Sequence, residues 1–266
     1  MAGVVIMIKF DRSCAFCSVR NVGLCANSSD HIFENSDDEI FPDKRDGILP
    51  HGGVIFDDYS VPQEFFILKS GWVMLSSDAG DGSRQILRFV LPGEIFGIEP
   101  SATTYHSSAA EAVTASSYCA QPIETLKRLQ GEDPEFAARY ITLLERERLI
   151  LVNSLTNIGR RDALARVAYV LMELAVRSSG HFPLITGYEY PIPLVQRLIA
   201  DATGLTVIHV NRTLRRLRSE NYLDFHDGKL TVLSGARLER LVDLGRGAIT
   251  AMEILKAGVG QAPNNP

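Results

Sequence analysis

The chain has 266 residues, 45% of them hydrophobic and 22% charged, which is enough for about two globular domains with a sizeable core. It has no apolar run of about 18 residues and makes a poor signal peptide, so a membrane span is excluded and we expect a cytoplasmic protein. The net charge of −5 hides a basic segment in which Arg212, Arg215, Arg216 and Arg218 fall close together, which predicts one directed contact with a polyanion.

The N-terminal segment, residues 1–29, has little periodicity and carries three of the four cysteines. Cys14 and Cys17 are separated by two residues, Cys25 follows after seven more, and Cys119 lies far downstream. In a reducing compartment, clustered cysteines more often hold a metal or do redox chemistry than form structural disulfides. The pattern therefore predicts a four-thiolate metal or iron–sulfur site that ties an irregular arm to a folded body.

Residues 30–122 contain short apolar runs that are broken by turn residues. The runs at 65–68, 72–75 and 85–91 each end at a turn that contains glycine. This spacing predicts an antiparallel β-barrel or sandwich. We assign 30–122 to this β-domain.

A long helix is predicted to follow within residues 123–160. Asp133 is suited to the N-cap and Pro134 to the first turn, and the helix is expected to run to about Asn157. One stripe on it has the spacing of a coiled-coil seam: Ala137, Ile141, Leu144, Arg148, Leu151, Leu155 and Ile158.

A second apolar stripe on the same helix is expected to pack on the β-domain: Phe136, Tyr140, Leu143 and Ile150. Two apolar faces on one helix predict a homodimer that forms through the first stripe. The alternative is a helix that is buried within one large domain. Arg148 interrupts the seam and would face its own copy across a two-fold axis, so we expect it to weaken the dimer unless it is paired or solvated.

Residues 161–233 have the pattern of a winged helix. A helix over 161–177 and a short strand near 188–192 precede a helix over Pro193–Ala202, and Gly204 supplies the turn. Thr206 is predicted to cap a second helix that runs to about Glu220. Two short strands joined at an Asp-Gly turn then form a hairpin.

The second helix of this segment would enter the major groove of DNA. Its outward and N-cap residues are Thr206, Ile208, His209, Asn211, Arg212, Arg215 and Arg216. Arg212 is suited to guanine and Asn211 to adenine, and Ile208 to the methyl group of thymine. Arg215, Arg216 and Thr206 are expected to contact phosphate. The alternative is a solvated arginine-rich helix that binds nothing.

The last segment, residues 234–266, is predicted to contain an amphipathic helix to Lys256 and a disordered tail. No function is assigned to it. The six histidines are scattered, and neither a phosphate-binding loop nor a dinucleotide-binding glycine pattern occurs. We therefore do not expect an enzyme.

Over roughly residues 14–233 the chain resembles the Crp/Fnr family of transcription regulators. The resemblance rests on the turn at 91–97, on the strand at 116–122 that carries Cys119, and on Leu205-Thr206-Val207 with Arg212 seven residues after Leu205. It implies an α+β fold: a cyclic-nucleotide-binding-like β-barrel sensor, a long dimerisation helix and a C-terminal winged helix-turn-helix. It also implies a homodimer on double-stranded DNA with an inverted-repeat operator, and a contact with RNA polymerase if the protein activates transcription.

Two sensor chemistries occur in this family. The cyclic-AMP branch uses a Glu and an Arg-Ser pair where this chain has Ile98 and Ser108-Ala109, so a cyclic AMP pocket is not expected. The Fnr branch uses four cysteines. The resemblance therefore implies an oxygen-labile [4Fe–4S] cluster on all four cysteines, whose assembly would order the arm beside the dimer helix. Ser18 and Leu24 flank ligands and are candidates to tune it, Ser18 by a hydrogen bond to sulfur and Leu24 by covering the cluster.

The chain also departs from the Fnr branch. The seven-residue gap before Cys25 is longer than in the best-known Fnr proteins, and the recognition helix has Ile208 and Asn211 where Fnr proteins have Glu and Ser. Only the contact of Arg212 with guanine therefore carries over. For the cysteines, a zinc site, thiol–disulfide sensing and an ordinary buried Cys119 remain as alternatives; a protein-interaction module that never meets DNA remains as an alternative function.

Overall fold

The computed structural model describes residues 14, 17–20, 22–25, 41, 43–78, 82–99 and 105–242. Most of the predicted arm and everything after residue 242 lie outside the described residues, and so does the predicted disordered tail. The chain divides into two compact units. The first comprises residues up to Ser77 with Phe89–Glu145, and the second comprises Asp78–Arg88 with the residues from Arg146 onward.

Among the described residues, the β-domain has eight strands: β1 (Arg45–Leu49), β2 (Val54–Phe56), β3 (Glu64–Ser70), β4 (Val73–Asp78), β5 (Arg84–Val90), β6 (Ile95–Phe96), β7 (Ala109–Ala112) and β8 (Ser116–Pro122). The three apolar runs of the sequence lie within β3, β4 and β5 and their borders, as predicted. The strands form two four-stranded sheets, in the orders β1-β8-β3-β6 and β2-β7-β4-β5. The antiparallel domain is confirmed, but its strands do not close into the single barrel that the resemblance implies.

Aromatic side chains fill the space between the two sheets. Phe66 lies at the centre, with its ring 5.6 Å from Phe56, 5.3 Å from Phe96 and 5.5 Å from Tyr118. The imidazole of His106 stacks on Phe56 at a centroid distance of 3.9 Å. These rings and their buried neighbours form the core of the domain, because large aromatic surfaces removed from water dominate core energetics.

Two helices follow the strands, α1 (Ile123–Glu132) and α2 (Pro134–Arg160). Asp133 caps α2 as predicted, since its Oδ1 accepts hydrogen bonds from the backbone N–H groups of Glu135 at 2.9 Å and Phe136 at 3.0 Å. A side chain that satisfies these orphan donors fixes where a helix begins. The predicted long helix is confirmed and is three residues longer at its C-terminal end.

A second apolar cluster joins α2 to the outer face of the β1-β8-β3-β6 sheet. Phe41 makes edge contacts with Phe65 of β3 and Phe136 of α2, at 5.9 and 6.3 Å. Tyr140 and Leu143 pack against the same cluster. The prediction that the second stripe of the helix packs on the β-domain is therefore confirmed for these three α2 residues.

The second unit contains α3 (Ala163–Ser179), β9 (Glu189–Pro191), α4 (Gln196–Thr203), α5 (Val207–Ser219), β10 (Leu223–His226), β11 (Lys229–Val232) and α6 (Gly235–Leu241). The three strands form an antiparallel sheet in the order β10-β11-β9. At the hairpin, Asp227 and Gly228 both have positive φ, 49° and 72°. This is the geometry that a two-residue hairpin turn requires, and it confirms the predicted wing.

The start of α4 differs from the prediction. The helix begins at Gln196 and not at Pro193, because the backbone of Val195 is still extended, with φ −91° and ψ 157°. Gly204 ends it with φ 65°, as the turn was predicted to need. None of the described helices is both long and apolar enough to cross a membrane.

Candidate functional site

The four cysteines line one pocket on the outer face of the β1-β8-β3-β6 sheet. They share it with Val19, Arg20, Phe41, Lys44, Asp46, Ile67 and Lys69. About 410 Å³ lies between these side chains, open solvent included. All four cysteines are free thiols; Cys119 is buried and the other three are half-buried. The fold thus brings the distant Cys119 to the N-terminal trio.

Backbone turns present the trio to the pocket. The N–H of Cys17 donates to the carbonyl of Cys14, and the N–H of Cys25 donates to the carbonyl of Val22, both at 3.1 Å. Cys25 ends a short 3₁₀ turn that starts at Gly23. Turns of this kind hold side chains at fixed directions without a regular helix.

A pair of glycines lets the arm approach the β5–β6 turn. Gly23 has φ 60°, and a Cβ on it would lie 2.5 Å from the carbonyl oxygen of Gly93. Gly93 has φ 88°, and a Cβ on it would lie 2.3 Å from Cγ1 of Val22. Both positions therefore need glycine for two reasons, the backbone conformation and the close approach.

Cys119 lies in the middle of its sheet. It is directly opposite Asp46 of β1 and Ile67 of β3 in the strand register. The Asp46 carboxylate accepts a hydrogen bond from Lys69 Nζ at 2.8 Å. This pairing places two oppositely charged side chains at the rim of the cysteine pocket.

Two side chains donate hydrogen bonds to cysteine sulfurs. Gln121 Nε2 donates to Cys119 Sγ at 2.9 Å, and Lys44 Nζ donates to Cys14 Sγ at 3.3 Å. The predicted hydrogen bond from Ser18 to sulfur is not found, because its hydroxyl donates to the carbonyl of Lys69 at 3.1 Å. Leu24 is fully buried in an apolar cluster that includes Cys119 and against which Cys17 and Cys25 pack.

Two of the thiols, those of Cys25 and Cys119, have a raised pKa. Burial raises the pKa of Cys25 above its usual range, and the sulfurs of Cys119, Cys17 and Cys14 raise it further. Burial likewise raises the pKa of Cys119 to about 12, while the hydrogen bond from Gln121 opposes the rise. Since thiolate and not thiol binds metal, a bound metal would have to displace these protons.

Four cysteine thiolates are a donor set that both a zinc ion and an iron–sulfur cluster accept. In the described part of the chain, no group of three or more His, Cys, Asp or Glu side chains is arranged around one metal ion. Zinc requires four ligands at about 2.3 Å from one centre. A [4Fe–4S] cluster is held by four cysteine thiolates, so its ligands surround a larger body and need not converge on one point.

Helix α5 presents the predicted DNA-reading residues to solvent. Thr206 caps the helix by accepting from the N–H of His209 at 3.2 Å. Exposed along the helix are Ile208, His209, Arg212, Arg215 and Arg216, and Ile208 reaches 76% exposure. Arg216 pairs with Glu220 at 2.6 Å. Buried Val210, Leu214 and Leu217 on the opposite side hold the helix in place.

Asn211 differs from the other candidate readers because it is half-buried. Its Nδ2 donates to Oε1 of Gln196, the first residue of α4, at 3.1 Å. This contact fixes the orientation of the amide. A base-reading amide must present its donor and acceptor together, so we expect Gln196 to set the direction of Asn211.

The predicted seam of α2 is an exposed apolar stripe. Ile141, Leu144, Leu151 and Leu155 are 57%, 37%, 47% and 74% exposed. Arg148 in their midst is exposed, and Ile158 is half-buried. Contiguous exposed apolar side chains usually mark an interaction surface.

Comparison with known proteins places the chain in a family. A Crp-like helix-turn-helix domain matches residues 165–241, and a cyclic nucleotide-binding domain matches residues 48–133. The nitrogen fixation regulation protein FixK of Azorhizobium caulinodans is 32% identical over 189 residues, which is 71% of this chain and 75% of FixK. The chain belongs to the Crp/Fnr family of transcription regulators. It is not an enzyme.

Other relatives agree with this assignment. The fumarate and nitrate reduction regulatory protein of Vibrio cholerae is 25% identical over 186 residues, 69% of this chain and 73% of that protein. The solved structure of FixK2 from Bradyrhizobium japonicum has a TM-score of 0.66 at 26% identity and covers 74% of this chain and 96% of that chain. Crp/Fnr regulators bind DNA and act as dimers.

Sequence reasoning missed the side chains that surround the sulfurs. Gln121 could have been found, because it lies two residues after Cys119 and therefore on the same face of β8. Lys44 and Asp46 gave no signal, since only the pairing of β1 with β8 brings them to the pocket. Gln196 was seen as part of the helix-turn-helix pattern but not as a partner of Asn211.

Proposed function

We propose that this Crp/Fnr regulator senses oxygen or redox state through a [4Fe–4S] cluster held by Cys14, Cys17, Cys25 and Cys119. The observation that carries the proposal is that all four thiols line one pocket. The relatives that are named fumarate and nitrate reduction regulatory proteins support it further. The cluster would supply the oxygen-sensitive chemistry, and the chain supplies the thiolates and a partly buried site.

The pocket connects the sensor to the dimer helix by direct packing. Leu24, between the ligands, belongs to the same apolar cluster as Phe136 of α2, and Leu143 of α2 packs against that cluster. Ligation of three cysteines on the arm and one on β8 orders the arm against α2. Loss of the cluster removes that constraint.

Dimerisation is proposed to use the exposed stripe of α2, with Ile141, Leu144, Arg148, Leu151, Leu155 and Ile158 in the interface. Arg148 would face its own copy, and like charges that are partly desolvated oppose association. The ordered arm shifts the monomer–dimer equilibrium toward the dimer. The dimer then presents two α5 helices about one DNA turn apart, so the operator is an inverted repeat.

In the major groove, we propose that Arg212 reads guanine, Asn211 reads adenine and Ile208 touches a thymine methyl group. Thr206, His209, Arg215 and Arg216 grip the backbone or groove edge and set the register. A regulator of this kind works where the chromosome lies, in the cytoplasm. The proposed domain organisation has five segments. They are an arm (1–29), a β-sensor (30–122), a dimerisation helix (123–160), a DNA-binding domain (161–233) and a C-terminal extension (234–266).

Cyclic AMP is not proposed as a ligand. The positions that would hold its phosphate carry Ser108 and Ala109, neither of which is a cation, and Ser108 is buried. A cyclic phosphate needs a positively charged partner. Isothermal titration with cyclic AMP is expected to give no binding.

The test is an absorption spectrum of protein that is purified without air, with iron and sulfide assays. We expect a broad band near 400 nm that air bleaches, with four irons and four sulfides per chain. A Cys→Ser substitution at any of the four positions should abolish this absorption band. Colourless protein with bound zinc, or with no metal and a reversible disulfide, would instead favour a zinc or thiol–disulfide sensor.

A further inference from the structure

Lys44 and Gln121 each place a donor nitrogen against a cysteine sulfur. Gln121 extends from β8 on the face that carries Cys119, and its side chain is fully buried. Its Nε2 lies 2.9 Å from Cys119 Sγ. Lys44 lies immediately before β1 and lines the pocket, and its Nζ lies 3.3 Å from Cys14 Sγ. One donor thus serves the strand cysteine and the other serves the first cysteine of the arm.

Hydrogen bonds to sulfur change the electronic state of a thiolate. A donor withdraws electron density from the sulfur and stabilises the more negatively charged state of whatever the sulfur binds. The effect is stronger in a buried site, where the effective dielectric constant is low. Lys44 adds a full positive charge, which acts in the same direction.

We propose that Gln121 and Lys44 are positioning residues that set the oxidation resistance of the proposed cluster through N–H···S hydrogen bonds to Cys119 and Cys14. The inference rests on the proposed function, because it needs the cluster to be present. Both donors make removal of an electron harder. Dioxygen would act as a one-electron acceptor and become superoxide, and the two donors would oppose the loss of that electron.

The geometry also gives the two donors a second role. The side chain of Gln121 is fully buried, and its N–H donates to the Cys119 sulfur, so it restrains the direction of that sulfur. Lys44 holds Cys14, which belongs to the arm. Loss of either donor would therefore loosen a cysteine ligand as well as change the electron density on its sulfur. Iron would then be easier to extract.

The experiment compares Gln121→Met, Lys44→Met and Lys44→Gln with wild type, all reconstituted without air. Methionine removes the donor at similar size, while glutamine at position 44 keeps a donor and removes the charge. Ser18→Ala is the matched control, since Ser18 flanks the ligand Cys17 but donates to a backbone carbonyl. The readouts are the rate of bleaching near 400 nm after addition of air-saturated buffer and the rate of iron transfer to a chelator without air.

We expect Gln121→Met and Lys44→Met to bleach roughly three- to tenfold faster than wild type, as for loss of one hydrogen bond, with Lys44→Gln between Lys44→Met and wild type. Ser18→Ala should match wild type. If Gln121→Met takes up no iron, the bleaching and iron-transfer rates of the two Lys44 variants test the inference. Equal bleaching and iron-transfer rates in all loaded proteins would overturn this inference and leave the proposed function intact. Wild type that holds no iron would overturn the proposed function itself.

Discussion

His106 shows how a single residue makes the β-domain sensitive to acid. Its ring is 3% exposed and stacks on Phe56. Burial lowers the pKa of His106 below its ordinary value of 6.5, and the hydrogen bond with Glu99 opposes that shift. Because the folded-state pKa is depressed, the neutral ring stabilises the fold above pH 6.5. That stabilisation is lost as the pH falls through the folded-state pKa.

We therefore expect part of the free energy of unfolding to disappear as the pH falls below 6.5 in wild type, and less to disappear in His106→Phe. Urea unfolding at several pH values measures the difference. His51→Gln, at an exposed position of the same unit, should lose stability as wild type does. An unchanged pH dependence in His106→Phe would show that this ring carries no acid sensitivity.

Alanine substitutions of Arg212 and Arg215 are expected to weaken DNA binding in different ways. Arg212→Ala should weaken binding to the selected operator by about 1–3 kcal/mol and relax the preference at one guanine. Arg215→Ala should weaken specific and non-specific DNA alike and lower the salt slope by about one. Quantitative gel shifts over a series of salt concentrations and operator variants separate the two. A uniform loss in both variants would contradict the assignment of Arg212 as a base reader.

At the residue scale, the sequence singled out the four cysteines that line the pocket, but not the side chains that surround them. Four cysteines, three of them clustered near the N-terminus, predict a thiolate site by their number and spacing alone. Asp46 and Lys44 reach the site only through the register of β1 against β8, and that long-range pairing has no local signature. The same limit applies to His106, whose stacking on Phe56 joins residues that are far apart in the chain.

At the element scale, the arm and the β5–β6 turn interlock through glycines. Gly93→Ala should strain the backbone and also push Val22 of the arm away, because the new Cβ would lie 2.3 Å from it. Gly82→Ala is the matched control, since Gly82 has φ 80° but nothing within 4 Å of its Cβ position. Both variants are expected to lose about 1 kcal/mol of stability.

Only Gly93→Ala is expected to weaken the packing of the N-terminal arm against the β5–β6 turn. Limited proteolysis of the N-terminal segment and iron retention measure that weakening. If Gly82→Ala sheds iron as readily as Gly93→Ala, backbone strain and not the contact with Val22 explains the effect.

The seam of α2 gives the second prediction at this scale. Arg148→Leu completes an apolar stripe, so the apo-protein should dimerise more tightly, by roughly tenfold or more in the dissociation constant. Sedimentation equilibrium of the apo-protein measures it. Arg160→Leu removes an exposed charge from the same helix off the seam and should have no effect. An unchanged constant in Arg148→Leu would contradict the role of this charge.

Elements were more predictable than residues because their signals are local. The Asp133-Pro134 start of α2 and the Asp-Gly turn of the wing need only neighbouring residues, and both are found where predicted. The start of α4 was wrong by three residues, because Val195 before the helix keeps an extended backbone that a proline-based rule does not detect. Closure of the β-strands depends on their pairing and was also beyond local rules.

At the scale of the whole molecule, the cysteine pocket and the exposed face of α5 share no residues. The proposed cluster ligands lie toward one end of the sequence, and the arginines that are proposed to contact DNA lie toward the other. The elements between them are α2 and the surfaces that it packs against. We therefore propose that the cysteine pocket alters DNA binding through the dimerisation equilibrium, since two recognition helices bind an inverted repeat far better than one.

The most direct measurement follows one preparation of wild-type protein, made without air, through exposure to air. Its iron content and its affinity for an operator selected from random DNA are measured before and after. The account predicts four irons per chain and tight binding at first, then loss of iron and an affinity lower by roughly five- to 150-fold. Protein that holds no iron without air, with all four thiols intact, and binds the operator equally before and after aeration would contradict it.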